Sequence, residues 1–175
     1  MSNFDELLSV QIGNEFAASQ QYLAIAVWYD NRDLPQLAKH FYRQSLEERN
    51  HAMMLVQYRL DRDLGIVIPG VGEVINEFKD DAAPIALALE QEKRVTSQIE
   101  ALFAAARSES DALGEQFMLW FLKEQVEEVA SMTTLLTVIN RANNNLFDVE
   151  NYLARESASN AGLDPDAPAA AGGAL

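Results

Sequence analysis

Residues 47–51 read Glu47-Glu48-Arg49-Asn50-His51, and the meaning of this stretch decides the fold. It lies inside a long apolar pattern that predicts a helix from Pro35 to about Arg62. Glu48 and His51 are three residues apart, so on a helix both project from one face. Leu37, Phe41, Gln44, Glu48, His51, Leu55 and Tyr58 follow one another at steps of 4, 3, 4, 3, 4 and 3. That spacing is the seam of a helix packed in a bundle. A carboxylate and an imidazole on such a seam cost several kcal/mol if unpaired. The fold must therefore bring them partners.

Working outward, a first helix is expected from about Phe4 to Asn31, with Leu8, Ile12, Glu15, Ser19, Tyr22 and Ala26 on its seam. Arg32-Asp33-Leu34-Pro35 breaks it, and Pro suits the first position of the next helix. A linker this short makes the two helices antiparallel neighbours. Beyond Arg62 the pattern fails. Leu64-Gly65-Ile66-Val67-Ile68-Pro69-Gly70-Val71-Gly72 reads as extended chain. Positions 63–80 could reach roughly 60 Å, more than the roughly 42 Å of a helix of about 28 residues. The segment can therefore return along the whole bundle and set the third helix parallel to the second.

The third helix is expected from 81–84 to near Glu109, with Ile85, Leu89, Glu92, Thr96, Ile99 and Phe103 on its seam. The fourth is expected from about Ala112 to Ala142, with Phe117, Phe121, Glu124, Glu128, Ser131, Leu135 and Val138 inward. Asn143-Asn144-Asn145 breaks it and offers an N-cap. A short fifth helix, 146–156, places Leu146, Val149 and Leu153 on one side and is too short to stand alone. From Ser157 the chain is Ala, Gly, Pro, Ser and Asp, which reads as a mobile tail. The expected fold is all-α: residues 1–156 form one four-helix bundle with one long crossover and a short fifth helix, and residues 157–175 form a low-complexity tail.

Each long helix carries Glu where its seam should be apolar: Glu15, Glu48, Glu92 and Glu128. In an antiparallel pair, residues equally far from the turn share a height. With the first turn near 33, Glu15 lies 18 residues before it, and Glu48 and His51 lie 15 and 18 after it. With the second near 110, Glu92 is 18 before and Glu128 is 18 after. All five then fall within about one helical turn of each other. One such residue alone reads as a snorkelling acid or a hydrogen-bonded core histidine. Four carboxylates and an imidazole at one height cannot all stay ionised without a cation. Oxygen ligands with a single nitrogen suit iron, manganese, or a mix of these with zinc. Glu-x-x-His facing a bundle core is the ligand pattern of di-metal carboxylate bundles. His40 has no match in level and reads as structural. Glu47, Glu124 and Glu127 are either a solvated acidic face or, if that face lines a cavity, a further cation site.

The 175 residues suffice for one sizeable core, and 49% are apolar. There is no Cys, which removes disulfides, thiolate zinc sites and thiol catalysis. Net charge is −14, from 27 acidic against 13 basic residues. This balance argues against nucleic acid and anionic membranes and is compatible with collecting cations. No secretory signal and no membrane-spanning run is visible, so a cytoplasmic location is expected.

Asn14-Glu15-Phe16 with Tyr22, then Glu47-Glu48-Arg49-Asn50-His51-Ala52, Glu92-Lys93-Arg94-Val95-Thr96, and Trp120 with Glu124-Gln125-Val126-Glu127-Glu128 resemble the non-haem bacterial ferritins, within the ferritin-like di-iron carboxylate proteins. The resemblance covers about residues 4–156. It implies a ferritin-like bundle with a ferroxidase centre. One iron would take Glu15, Glu48 and His51. The other would take Glu48 as the bridge, Glu92 and Glu128, with Gln125 beside it. Glu47, Glu124 and Glu127 match the family's third iron site, and Tyr22 the tyrosine next to the centre, with Trp120 close by. The family assembles hollow shells of 24 subunits, with the fifth helix at the four-fold axis. Bacterioferritins carry a haem-ligating Met directly after the bridging Glu; here that position is Arg49, so haem is not expected. They also have a second Glu-x-x-His on the fourth helix, which here ends in Ser131 and leaves the second metal oxygen ligands only. The implied function is oxidation of ferrous iron with dioxygen, followed by storage as a ferric mineral. The rivals are a di-metal oxidase or peroxidase without storage, and a metal-free acidic scaffold.

Overall fold

Five helices form where the seams place them: α1 (Asn3–Asp30), α2 (Pro35–Asp61), α3 (Ala83–Ser108), α4 (Ala112–Arg141) and α5 (Leu146–Ser157). The computed structural model describes residues 3–157 and 164–175. No strand occurs among the described residues, so the fold is the expected all-α bundle. Pro35 opens α2, where its missing N–H costs nothing. The Asp111 side chain caps α4 by accepting from Gly114 N at 3.0 Å. Asp33, Asp63, Ser110, Asn143 and Asn144, all short and polar, take positive φ in the turns that follow α1 to α4. The Asn run therefore works by turning the chain. At the start of α5, Asn145 Nδ2 donates to Asp148 Oδ2 at 2.8 Å.

Cross-helix hydrogen bonds give the directions. Ser19 Oγ donates to Ser45 O at 2.6 Å, and Arg59 Nη1 to Asp5 O at 2.8 Å, so α1 and α2 are antiparallel. Thr96 meets Gln125, and Arg107 meets Glu115, so α3 and α4 are antiparallel too. Tyr29 Oη donates to Asp81 O at 2.6 Å just before α3, while Tyr22 reaches Ala88 and Glu92 within it. Helix α3 thus runs against α1 and along α2, as a full-length crossover requires. The crossover is pinned midway by Gln21, whose amide makes two 2.8 Å bonds to the Ile75 backbone.

The core divides into two apolar clusters. One gathers Tyr22, Ile25, Tyr29, Leu37, Phe41, Ile85, Leu89, Met132 and Leu135, with Val149 and Leu153 of α5. The other gathers Phe4, Leu8, Ile12, Met54, Leu55, Val95, Ile99, Met118 and Phe121. On every long helix the seam Glu falls between them. Glu15 lies between Ile12 and Tyr22, Glu48 between Phe41 and Met54, Glu92 between Leu89 and Val95, and Glu128 between Phe121 and Met132. Apolar packing on both sides fixes the height of the polar layer. Glu150 ties α5 to this frame by accepting from Gln36 N and Leu37 N at 2.8 and 2.9 Å, at the N-terminus of α2.

Two expectations are corrected. The buried residues of α4 are Gly114, Met118, Phe121, Gln125, Glu128, Met132, Leu135 and Ile139. Gln125, Met132 and Ile139 take the inward places read as Glu124, Ser131 and Val138; Ser131 is exposed. Both readings share Phe121, Glu128 and Leu135, so the 4-3 pattern alone did not separate them. The sequence from Ser157 has little to bury and reads as a mobile tail. Residues 158–163 lie outside the described residues, but 164–175 rest on the bundle. Trp120 Nε1 donates to Asp164 Oδ2 at 3.0 Å, and Ala171 N to Met53 O at 3.0 Å. The Asn50 amide brackets the Leu175 backbone at 3.1 and 3.2 Å. Ala167, Ala170 and Ala171 pack on the second apolar cluster. Small side chains permit this close backbone approach, which a count of apolar bulk misses.

Gly114 shows how tightly the α1 entry is fitted: a Cβ there would lie 2.8 Å from Phe4 Cε1 and 2.9 Å from Asp111 Oδ2. Phe4 is itself fully buried, so it has little room to yield. Gly114→Ala should cost about 1–3 kcal/mol by overpacking, a loss measurable by denaturant unfolding. An unchanged midpoint would show that the Phe4 ring moves freely.

Candidate metal centre

The polar layer is dry. Glu15, Glu48, His51, Glu92 and Gln125 are each exposed by 2% or less, and Glu128 by 5%. Ligand atoms of Glu15, Glu48 and His51 lie within 4.8 Å of one another. His51 Nδ1 is 3.2 Å from Glu48 Oε2. From α3, Glu92 accepts a hydrogen bond from Tyr22 Oη. From α4, Gln125 Oε1 accepts from Thr96 Oγ1 at 2.9 Å. The five predicted core positions and Tyr22 therefore all reach the same buried layer.

Charge makes this layer unstable as it stands. Burial, then Glu92 and Glu15, push the Glu48 carboxyl well above the usual carboxylate range. Burial also raises Glu92 to about 7, although the Tyr22 hydroxyl works against it. Glu128 is raised by burial and by Glu47, Glu48 and Glu92. Tyr22 is raised by burial and by Glu92, which holds it as a phenol.

The hydrogen bonds leave a definite deficit. Glu15 Oε2, Glu48 Oε1 and Glu92 Oε2 are buried and have no partner among the described residues. Each of these carboxylates thus turns one unsatisfied oxygen into the dry layer. Buried polar atoms are nearly always satisfied; in the metal-free layer the retained protons answer part of this deficit, Glu48 toward Glu15, and a cation would take their place. The donor set is hard oxygen with one imidazole, which suits first-row divalent ions.

A second group lies beside the first. Glu47, His51 and Glu124 bring ligand atoms within 4.8 Å of one another. Glu47 and Glu124 are half-buried, whereas Glu127 is exposed. All three Glu residues line a cleft of about 1340 Å³ over this face of the bundle, as do Ser131, Asp164 and the tail. Burial raises the Glu124 carboxyl, offset in part by His51. His40 lies at the same cleft; burial lowers it to about 4 and keeps it neutral, as a structural histidine.

Two supporting residues went unremarked in the sequence. Gln11 Nε2 donates to Glu15 Oε1 at 2.7 Å, and Thr96, noted only as a seam residue, orients Gln125. Their signal was the i, i+4 step: Gln11 stands one turn before Glu15, and Thr96 one turn after Glu92. Asp164, which the tail brings to Trp120 and to within 3.8 Å of Lys123 Nζ, had no such signal because its neighbours are distant in sequence.

The family model described as a ferritin-like domain matches residues 5–142. The chain belongs to the ferritin family. It is 62% identical to "Ferritin BfrB" of Mycolicibacterium smegmatis over 99% of this chain and 96% of that one. It is 30% identical to the bacterial non-heme ferritin of Staphylococcus haemolyticus over 87% of this chain and 93% of that one. An open pore ferritin from Archaeoglobus fulgidus superposes with a TM-score of 0.84 at 26% identity, covering 87% of this chain and 95% of that one. The similarity thus spans the bundle and, in the mycobacterial relatives, the tail. No helix among the described residues is long and apolar enough to cross a membrane.

The raised carboxyls carry a pH signature. In the metal-free fold Glu48, Glu92 and Glu128 hold protons that the unfolded chain has lost. Their contribution to stability is full below about pH 4.5 and is lost as pH rises, through about 7 for Glu92. The melting temperature of metal-free protein should therefore fall between about pH 5 and about pH 8. A redox-inert divalent ion such as zinc should abolish most of that fall. Parallel melting curves with and without zinc at both pH values would contradict the assignment of this layer as a cation site.

Proposed function

We propose that this ferritin is an iron store with ferroxidase activity. The observation that carries the reading is the set of three orphaned carboxylate oxygens, from Glu15, Glu48 and Glu92, in a dry layer shared with His51. Ferrous iron is the substrate. Glu15, Glu48 and His51 take one ion; Glu48 as the bridge, Glu92 and Glu128 take the other, with Gln125 beside it. Each ferrous ion gives up one electron, and dioxygen takes two electrons and two protons and leaves as hydrogen peroxide. Peroxide can serve as the oxidant in its turn. Tyr22, held against Glu92, is placed to supply a further electron. The two ions are held unequally, because α4 carries no histidine and the second set is oxygen only. Oxidised iron leaves that weaker set for the cleft, where Glu47, Glu124 and Glu127 form a third site. From there it joins a ferric mineral inside a hollow shell of 24 copies in the cytoplasm. The archaeal neighbour's description as an open pore ferritin supports a shell, and no haem is expected at Arg49.

As the bridge in this reading, Glu48 touches both ions. Its helix is held by Leu37, Phe41 and Leu55, all fully buried, so the bundle should survive its loss. Glu48→Ala should slow ferrous oxidation at least about a hundredfold while leaving the assembled particle intact, since even outer-shell losses cost 10–100-fold. Stopped-flow absorbance with wild type and variant decides this, and equal rates would sink the assignment. Aerobic loading separates storage from a retained di-metal cofactor. A store takes on the order of hundreds of irons per subunit, whereas a fixed centre holds about two.

A further inference from the structure

Glu15 differs from Glu48 and Glu92 in being held by a side-chain amide from its own helix. Glu15 has one oxygen bound and one orphaned, and the bound one is held by Gln11. Gln11 is 2% exposed and stands one turn earlier on the same helix. Its Nε2 donates to Glu15 Oε1 at 2.7 Å. Its own Oε1 accepts from Asn14 Nδ2 at 3.1 Å. The direction of this chain follows from chemistry. A carboxylate only accepts, so Gln11 must turn its NH2 group to Glu15, and its carbonyl then needs a donor, which Asn14 supplies. The relay Asn14–Gln11–Glu15 runs along one face of α1 with no freedom to flip.

Resting on the ferroxidase reading, we infer that Gln11 is a positioning residue that makes Glu15 a single-oxygen ligand. The amide engages Oε1 and leaves Oε2, which has no hydrogen bond, as the free donor in a residue grouped with Glu48 and His51. An Oε1 that already accepts from the amide is the poorer donor to the ion, which biases Glu15 toward binding through Oε2 alone. A place on the first iron therefore stays free for the oxidant. Gln11 thereby sets the coordination number at this iron without touching it, and Asn14 sets the orientation of Gln11. Removing the amide frees Glu15 to swing, which weakens its alignment and lets both oxygens approach the ion.

The test uses the assembled protein and anaerobic titration with cobalt(II), whose visible absorption band reports coordination number. Gln11→Leu removes the donor at similar bulk. It should weaken the first cobalt-binding step about tenfold or more, in the range of outer-shell losses. Its cobalt band should also lose intensity relative to wild type, as the coordination number rises. Asn14→Ala keeps the donor but frees its orientation, and should shift both readouts the same way by less. Should Gln11→Leu fail to assemble, the Asn14→Ala shift carries the test, and its absence overturns the inference. If Gln11→Leu lowers the melting temperature while affinity and band stay at wild-type values, Gln11 only packs, and the inference falls while the ferroxidase reading stands. If wild type binds no cobalt that Glu48→Ala abolishes, the ferroxidase reading itself fails and takes the inference with it.

Discussion

The structure depends on keeping carboxylates of four helices dry at one height. Desolvating an ionised carboxylate costs several kcal/mol even after relaxation. The metal-free fold lowers that cost by retaining protons on Glu48, Glu92 and Glu128. It also supplies donors, among them the Gln11 amide to Glu15, the Tyr22 hydroxyl and Gln125 to Glu92. Further donors would stabilise the apo state and compete with the ion. Under the proposed function, an ion replaces the retained protons as the partner of Glu15 Oε2, Glu48 Oε1 and Glu92 Oε2.

Such a layer holds its geometry only because the apolar clusters above and below are well packed. Tyr29 stacks on Phe41 at 5.8 Å on one side, and Tyr58 stacks on Phe117 at 3.9 Å on the other. The hydroxyl–carbonyl exchange between Ser19 and Ser45 lets α1 and α2 meet closely, beside Glu15 and Glu48. The Glu150 cap on α2 and the Gln21 hold on the crossover then fix the ends of the same frame. Each of these contacts lies at or near one of the ligand-bearing helices. The layer is closed in by packing on both sides, with the cleft beside Glu47 and Glu124 next to it.

The helices were legible because their seams repeat at helical spacing, and Glu15, Glu48, Glu92 and Glu128 were legible because each interrupts an apolar run. Counting residues from two turns gave their common height, which needs only the rise of a helix. The inward face of α4 was not fully legible. Its flanking residues Phe117, Met118, Glu124 and Gln125 suit either of two adjacent stripes, and a pattern of types cannot choose between them. The structure gives the buried place to Gln125 and leaves Glu124 half-exposed at the cleft. The tail was illegible for another reason. Its hold on Asn50, Met53 and Trp120 runs largely through backbone groups, which every sequence possesses. Gln11 and Asn14 were hidden by polarity, since a polar residue beside a seam is read first as solvated.

The central claim is that the orphaned oxygens of Glu15, Glu48 and Glu92 face a place for two ions. Crystals loaded anaerobically with ferrous iron, measured at the iron absorption edge, test it most directly. Two anomalous peaks bridged by Glu48 are expected, one against Glu15 and His51 and one against Glu92 and Glu128. They should lie about 3.5–4 Å apart, as in two-metal sites. Iron found only at Glu47, Glu124 and the cleft surface, with the buried layer empty, would contradict it.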